Sequence, residues 1–482
     1  MSAPETPRTL VRGLSLTAAT SINIANMIGT GIFLKTRVMT CNVGSPGLVL
    51  AVWVVAGLLA LAGALTLAEL AAMMPRAGGE YVFLRTAYGR PFGFLYGWAI
   101  FFVARTGSQA ALAIGSAIFL NIVTGGALSH TFFTASLFGY VIPFGLLQLV
   151  ALVWIVTITA VNCASVSTSG KASSVLTGIK LALLAAIGIG AMTLAYGNWG
   201  HFAMNAVAGT CEGVSTAARG GLAGFGAAML GALWAYDGWD NVAPLSGEVR
   251  NPHRTLPLAF IGAMLVVGVL YVFVNVAYFY VLTPAQIASV PLTSSVATEV
   301  ARRFVGSAAV GLIAIALLAS SVGALHSSVL ANARVPFAMA QDGLFFRRLA
   351  VITPHSRVPR NALIAQGVWA SALALSGSYD LLTDCVMFAS WVLYGMTIAA
   401  VFVLRRTMPD APRPYRTWGY PVVPVLFLLV TAWLLFNTFR TGPLQAFVGL
   451  GLMASGVPFY FYWSRKARTC GFSEADSQPG DS

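Results

Sequence analysis

The sequence predicts an all-α integral membrane protein with twelve transmembrane helices. Of its 482 residues, 57% are hydrophobic and 9% are charged, whereas soluble domains average about 45–50% and about 25%. The mean hydropathy is +0.79. So few charged side chains cannot cover the surface of a soluble enzyme of this length, and a disordered chain needs low hydrophobicity and high charge density. Both classes are excluded, which leaves a membrane protein.

The first dozen residues are polar, and the apolar run that follows has no small-residue cleavage site, which indicates a retained first span and not a signal peptide. A helix needs about 20 apolar residues to cross a bilayer. The runs that meet this length are residues 16–40, 47–74, 91–120, 137–161, 172–196, 221–246, 257–282, 305–341, 361–377, 381–404, 419–439 and 443–464. The eighth of these runs can also be divided differently.

The basic residues predict the orientation and exclude one class of partner. The net charge is +13, but the Lys and Arg residues lie in small groups between apolar runs, as in cytoplasmic loops, and not on one face as nucleic-acid binding requires. With the N-terminus inside, 19 of them fall in inside segments and six in outside segments. We therefore expect cytoplasmic tails at 1–15 and 465–482, a lipid bilayer as partner, and no nucleic acid.

The cysteines predict neither a zinc site nor a disulfide framework, because they are scattered singly and form no C-x-x-C pair. No metal and no cofactor are expected. The five cysteines are Cys41, Cys163, Cys211, Cys385 and Cys470.

Two spans carry interruptions at corresponding depths. The first contains Gly29-Thr30-Gly31 near mid-membrane, and the sixth contains Gly238 between two carboxylates. Spans one and six are five apart, which indicates two inverted five-helix repeats, at about 16–196 and 221–404, followed by helices 11 and 12 at 405–464. Interrupted helices at matching positions are the best sequence indication of a transporter's binding site.

The interruptions have the chemistry to bind an α-amino acid. The unwound Gly29–Gly31 segment exposes N–H groups that suit a carboxylate. Carbonyl groups around Met27, Ile28, Trp234 and Tyr236 can accept hydrogen bonds from an ammonium group. The alternative is that the small residues only allow close packing of helices.

Ionisable residues inside spans are costly and mark function by default. Lys180 lies about 12 Å from the end of its helix, where its ammonium can replace a bound cation or form a buried structural ion pair. For Glu69 and Arg105 we expect a packing or gating role. Asp237 and Asp240 should repel each other, so that one of them holds a proton when no cation is present. Asp237 would then bind a cationic side chain, or remain a neutral packing group.

The motifs resemble those of the L-type amino acid transporters in the amino acid–polyamine–organocation superfamily. The resemblance extends over nearly the whole chain. Its segments are Met27–Phe33, Ala68–Leu70, Pro75–Tyr81, Asn162-Cys163, Thr177–Lys180, Trp234–Trp239, Gly247–Pro252, Arg413–Tyr415, Gly419–Pro421 and Gly456–Phe461.

The resemblance implies a LeuT-like fold and sodium-independent, obligatory exchange of L-amino acids. It assigns the α-carboxylate to Gly29, Thr30 and Gly31, and the external gate to Trp234. Lys180 matches the lysine that takes the place of a sodium ion. The substrate-binding residues expected on this basis are Met27, Ile28, Gly29, Thr30, Gly31, Trp234, Ala235, Tyr236, Asp237 and Asp240, and those expected in gating or coupling are Lys180, Trp234, Glu69 and Arg105.

The resemblance also has departures. The loop at about 121–136 has no cysteine, so no disulfide-linked heavy subunit is expected, which indicates a prokaryotic-type member in the bacterial inner membrane. Ser390-Trp391 replaces the Asn-Trp of some members, so side-chain selectivity does not transfer.

Two other functions remain open at this stage. One is proton-coupled uptake of amino acids or polyamines on the same fold. The other, from a different class, is a membrane-embedded enzyme or a solute sensor, which the absence of H-E-x-x-H and G-x-S-x-G motifs and of a loop large enough for an output domain disfavours.

Overall fold

A computed structural model describes residues 12–137, 140–164, 169–206, 208–353, 358–376 and 379–469, and it is helical over most of this length. The outer parts of both predicted tails, 1–11 and 470–482, lie outside the described residues. In the described chain, eight helices are long and apolar enough to cross a membrane, and Thr177–Thr193 and Gly221–Tyr236 are shorter apolar helices. The helices are α1 Leu16–Met27, α2 Gly31–Val43, α3 Pro46–Met73, α4 Glu80–Tyr88, α5 Arg90–Ala99, α6 Arg105–Val123, α7 Leu146–Ala164, α8 Ser169–Thr193, α9 Gly221–Tyr236, α10 Pro252–Val281, α11 Pro284–Ala288, α12 Val296–Asn332, α13 Arg334–Gln341, α14 Arg360–Ser376, α15 Tyr379–Thr407, α16 Val422–Thr441, α17 Pro443–Ala454 and α18 Gly456–Thr469.

The interruptions of the first and sixth spans are present as breaks in the helices. Helix α1 ends at Met27 and α2 begins at Gly31. Helix α9 ends at Tyr236, and an irregular segment with a 3₁₀ turn, Ala243–Glu248, follows it. A π-helical turn, Ile100–Ala104, also joins α5 to α6.

The predicted start of the fourth span at residue 137 is wrong. Strands β1, Thr131–Leu137, and β2, Tyr140–Gly145, form an antiparallel hairpin, and helix α7 begins only at Leu146. Aromatic and β-branched residues fill the hairpin and favour a strand over a helix. A short apolar run of this kind cannot be assigned by hydropathy alone.

The eighth span also differs from its predicted bounds. Helix α12 begins at Val296, nine residues before the predicted start, and ends at Asn332, with a kink at Gly306, whose φ is 72°. Helix α13 then continues to Gln341. The predicted segment 305–341 therefore contains two helices.

The cysteines were expected to form no disulfide framework, and sequence reasoning missed the disulfide that the structure contains. Cys41, near the end of α2, is bonded to Cys211, and their Cα atoms are 5.6 Å apart. The two cysteines are 170 residues apart in sequence, so no local spacing reveals the pair. We call the end of the helix bundle that carries this bond and the hairpin the disulfide end, and the opposite end the basic end.

Candidate functional site

The two helix breaks are in direct contact. A Cβ atom on Gly31 would lie 2.6 Å from the Cα atom of Ala235, and one on Gly238 would lie 2.6 Å from the Cβ atom of Asn26. Gly238 also has a φ of 101°, which L side chains rarely adopt. The sequence needs glycine at both positions because the backbones approach too closely for a side chain.

A small cavity lies where the breaks meet. Its volume is about 10 Å³, which is room for about one water molecule. Six of the expected substrate-binding residues line it, while Ile28, Ala235, Tyr236 and Asp240 do not. The six are Met27, Gly29, Thr30, Gly31, Trp234 and Asp237. Helices have to move apart before a whole amino acid can enter.

Sequence reasoning missed the polar residues that complete the lining. These residues are Asn26, Ser108, Asn241 and Ser328. The Oδ1 atoms of Asn26 and Asn241 are buried and have no hydrogen-bond partner. Hydropathy does not identify them, because isolated small polar residues also occur at ordinary helix contacts in membranes.

Most of the carbonyl groups expected to bind an ammonium group already have donors. The Met27 carbonyl accepts hydrogen bonds from the Tyr271 hydroxyl at 2.7 Å and from the Gly29 amide at 2.8 Å. The Tyr271 hydroxyl is also 3.0 Å from the Ala235 carbonyl. Tyr271, on α10, thereby joins both breaks. The N–H groups of Gly31 and Ile32, the first two of α2, have no acceptor within their own helix, whereas that of Phe33 already donates to the Thr30 carbonyl at 3.2 Å.

Lys180 lies at the other side of the first break. Its side chain is buried, and Nζ donates to the carbonyls of Ala25 at 2.8 Å and Ile28 at 3.0 Å. The Ser320 hydroxyl donates to the same Ile28 carbonyl at 3.4 Å. Carbonyl and hydroxyl oxygens are the ligands that hard cations prefer. In the described residues, no group of three or more His, Cys, Asp or Glu side chains could hold a metal ion.

Arg105 bridges Asp237 and Asp240 and supplies a cation that sequence reasoning did not place beside them. Its Nη1 is 3.3 Å from Asp237 Oδ2, and its Nη2 donates to Asp240. The Tyr394 hydroxyl donates to Asp237 Oδ1 at 2.7 Å. The planar guanidinium can donate to both carboxylates at once. The charge of Asp237, which lines the cavity, is therefore already paired.

Glu80 extends this acidic cluster towards the basic end, and sequence reasoning gave it no role. It is the first residue of α4 and is 1% exposed. Neither of its carboxylate oxygens makes a hydrogen bond of ordinary geometry, although Asp240 and Tyr96 lie close enough to interact with it. Burial and the neighbouring Asp240 carboxylate raise the pKa of Glu80.

A hydrogen-bonded chain separates the cavity from the disulfide end. The Trp234 indole donates to the Tyr379 hydroxyl at 2.8 Å, which donates to Thr30 Oγ1 at 2.9 Å. Tyr379 also lines a larger cavity of about 620 Å³ beyond this chain. Lys35 pairs with Asp380 at 2.6 Å beside it. Lys35 is 1% exposed, and this ion pair compensates for the burial of its charge.

Glu69 lies away from the cavity and packs elements of the basic end together. Its carboxylate accepts hydrogen bonds from Arg405 Nε at 2.9 Å and Nη2 at 2.7 Å, and from the Thr417 amide and hydroxyl, each at 2.7 Å. The contacts therefore favour the packing role for Glu69 and place Arg105 beside the cavity.

The amino-acid sequence is similar to those of known proteins over nearly its whole length. The model of the family described as amino acid permease matches residues 14–460. The chain is 30% identical over 454 residues to b(0,+)-type amino acid transporter 1 of Mus musculus, covering 94% of this chain and 88% of the relative. It is 30% identical over 456 residues to the serine/threonine exchanger SteT of Bacillus subtilis (strain 168), covering 94% and 97%. It is also 30% identical over 462 residues to large neutral amino acids transporter small subunit 2 of Homo sapiens, covering 95% and 82%.

Proposed function

The chain belongs to the amino acid permease family and is a multi-pass membrane protein, and from this premise we propose that it exchanges L-amino acids across the membrane without sodium. The contact between the two helix breaks, Gly31 against Ala235, carries the proposal. It brings backbone N–H groups and backbone carbonyls together at one small cavity. N–H groups can bind an α-carboxylate, and carbonyls can bind an α-ammonium group. The names of relatives from mouse and Bacillus agree with amino acids as the substrate class.

Binding uses backbone groups for the part that all amino acids share. The N–H groups of Thr30 and Gly31 receive the carboxylate at the start of α2. The Gly29 N–H joins them once its hydrogen bond to the Met27 carbonyl, 2.8 Å long in this conformation, has broken. The carbonyl of Met27, released by Tyr271 when the helices separate, accepts the ammonium. Because side chains are not needed for either contact, the selectivity lies in the remaining lining of the cavity.

Sodium is not required because an ammonium group occupies a cation position. Lys180 Nζ contacts two carbonyls beside the first break, at 2.8 Å and 3.0 Å. A fixed charge on α8 thereby holds α1 in place of a dissociable ion. This contact supports exchange that depends on amino acids on both sides and not on a sodium gradient.

Neutral amino acids are the favoured substrates. Asp237 is the acidic residue that lines the cavity, and Arg105 and Tyr394 already pair with it. A cationic side chain would have to displace the Arg105 guanidinium from a buried site.

Alternating access then opens the site towards one membrane face at a time. Opening towards the disulfide end breaks the chain Trp234–Tyr379–Thr30 and the Lys35–Asp380 pair. Trp234 serves as the gate, and the 620 Å³ cavity beyond it is the vestibule of this pathway.

The full architecture that we propose has twelve spans in a LeuT-like arrangement. The repeats are 16–196 and 221–404, and helices at 405–464 complete the bundle. The excess of Lys and Arg at the basic end supports cytoplasmic termini in a bacterial inner membrane. The chain acts without a disulfide-linked heavy subunit, since the loop at 121–136 has no cysteine.

Exchange in proteoliposomes tests the function. Vesicles that contain the purified protein are preloaded with alanine, serine, leucine, lysine or arginine, or left without amino acid, in sodium-free buffer. We expect rapid uptake of labelled alanine, serine or leucine only where the vesicle contains a neutral amino acid. Uptake that is equal in unloaded vesicles, or that requires sodium, would contradict the proposal.

A further inference from the structure

The acidic cluster below the substrate cavity contains more negative than positive charge. Arg105 contributes one guanidinium, whereas Asp237, Asp240 and Glu80 contribute three carboxylates, and all four residues are buried. Two of these carboxylates are in contact with Arg105. The third, that of Glu80, has no cation in contact among the described residues and no hydrogen bond of ordinary geometry, and its polar neighbours include the Asp240 carboxylate and the Tyr96 hydroxyl. An ionised carboxylate without a partner is costly to bury, and it becomes neutral by binding a proton.

In the part of the chain that the structure describes, Arg105 is the cation that interacts with Glu80. Its partners in electrostatic contact are Asp240 and Arg105, and Tyr96 on α5 interacts with Glu80 in turn. Tyr394 on α15 faces the same cluster through Asp237. The ionisable groups elsewhere on α4 point to another site: Tyr81 and Arg85 both bind Asp342 of the segment after α13. The ionisable groups around Glu80 are therefore Tyr96, Arg105, Asp237, Asp240 and Tyr394.

Glu80 is also mechanically linked to the second helix break. The preceding Gly79 packs so closely on the segment after α9 that a Cβ atom would lie 2.6 Å from the carbonyl carbon of Ala243. The same segment carries Asp237, which lines the cavity, and Asp240. Movement of this segment during opening therefore changes the surroundings of Glu80.

We propose that Glu80 is a proton-binding site beneath the substrate cavity and that its protonation controls the rate of amino acid exchange. This inference rests on the proposed function. The protonated carboxyl leaves the cluster with one fewer negative charge, so that the helices can close around the cavity. The ionised form holds the segment after α9 apart, because Glu80 and Asp240 then repel each other. Exchange is therefore fast at low pH and slows as the pH rises through the pKa of Glu80.

The test uses Glu80→Gln, which has the shape of the protonated acid but does not titrate. Exchange of labelled amino acid is measured in proteoliposomes with the same pH inside and outside, from pH 5 to pH 9, so that no gradient drives it. The wild-type rate should fall by about tenfold for each pH unit above the pKa, and the variant should stay at the fast rate. Glu299→Gln, at a partly exposed residue that pairs with Arg302, is the matched control and should retain the wild-type profile.

A second measurement does not depend on transport. Infrared spectroscopy of the purified protein should detect a protonated carboxylic acid that Glu80→Gln lacks and Glu299→Gln keeps. If wild-type protein shows this band but exchanges no amino acid at any pH, the proposed function is contradicted, whereas proton binding by Glu80 is still supported. A wild-type rate that is independent of pH, a variant with the wild-type profile, or absence of the band would overturn the inference.

Discussion

Removing the positive charge of Arg105 tests the paired site most directly. Arg105→Gln leaves the buried Asp237 and Asp240 without their cation. Loss of one partner from a buried ion pair costs about 3–5 kcal/mol, so the free energy of unfolding in detergent should fall by this amount at neutral pH. The loss should shrink in acid, because protonation neutralises carboxylates that repel each other.

The same variant should change which amino acids bind. With Arg105 absent, Asp237 is available to a cationic side chain in the cavity. A hydrogen bond to a charged group contributes about 1.5–3 kcal/mol, which corresponds to an increase of about tenfold to about a hundredfold in affinity. Competition against labelled alanine by lysine and arginine, compared with serine and leucine, measures this gain.

Two further variants make the result decisive. Arg105→Gln combined with Asp240→Asn removes one negative charge together with the positive one, so the double variant should recover much of the lost stability. Arg302→Gln, at a residue whose side chain is 53% exposed, is the control and should match wild type. If the folded double variant binds lysine and arginine no better than wild type, Asp237 does not contact the side chain of the substrate.

Three further substitutions have distinct expected outcomes. Gly31→Val should abolish exchange but not membrane insertion, because the added Cβ atom meets the Ala235 backbone. Gly262→Val is the control and should exchange normally, since nothing lies within 4 Å of its Cβ atom. Similar exchange rates in the two variants would show that the first helix break is not part of the substrate site. Lys180→Ala should lower the free energy of unfolding by only about 1–3 kcal/mol through its lost hydrogen bonds, but it should slow exchange strongly. Exchange at the wild-type rate would mean that Lys180 has a structural role only. Glu69→Gln should lower the thermal unfolding temperature and leave substrate competition unchanged; altered competition would contradict a packing role.

Hydropathy and helix breakers could be interpreted correctly from sequence because each is a local property. The second span was expected at 47–74, and α3 extends from Pro46 to Met73. The break at Gly29–Gly31 was expected because exposed backbone groups in a membrane occur only where they line a cavity or have partners. These features need no knowledge of which helices are neighbours.

Pairings between distant residues could not be predicted in the same way. Arg105 and Asp237 are 132 residues apart, and each alone is an ionisable residue in a span. The sequence does not distinguish Tyr271 from other aromatic residues in apolar helices. Its role appears only in the structure, where its hydroxyl lies between the carbonyls of Met27 and Ala235. Glu80 stands in a loop sequence, where a carboxylate is usually exposed. Only the packing of α4 reveals its burial.

The bond between Cys41 and Cys211 has a consequence for the cellular topology of the chain. Disulfides persist in oxidising compartments and are rare in the reducing cytosol. In the orientation that we propose, the end of the bundle that carries this bond faces the exterior of the cell, a compartment in which a disulfide persists. A reductant that cannot cross the membrane should reach this bond from outside intact cells, so that the accessibility of two thiols reports which way the protein was inserted.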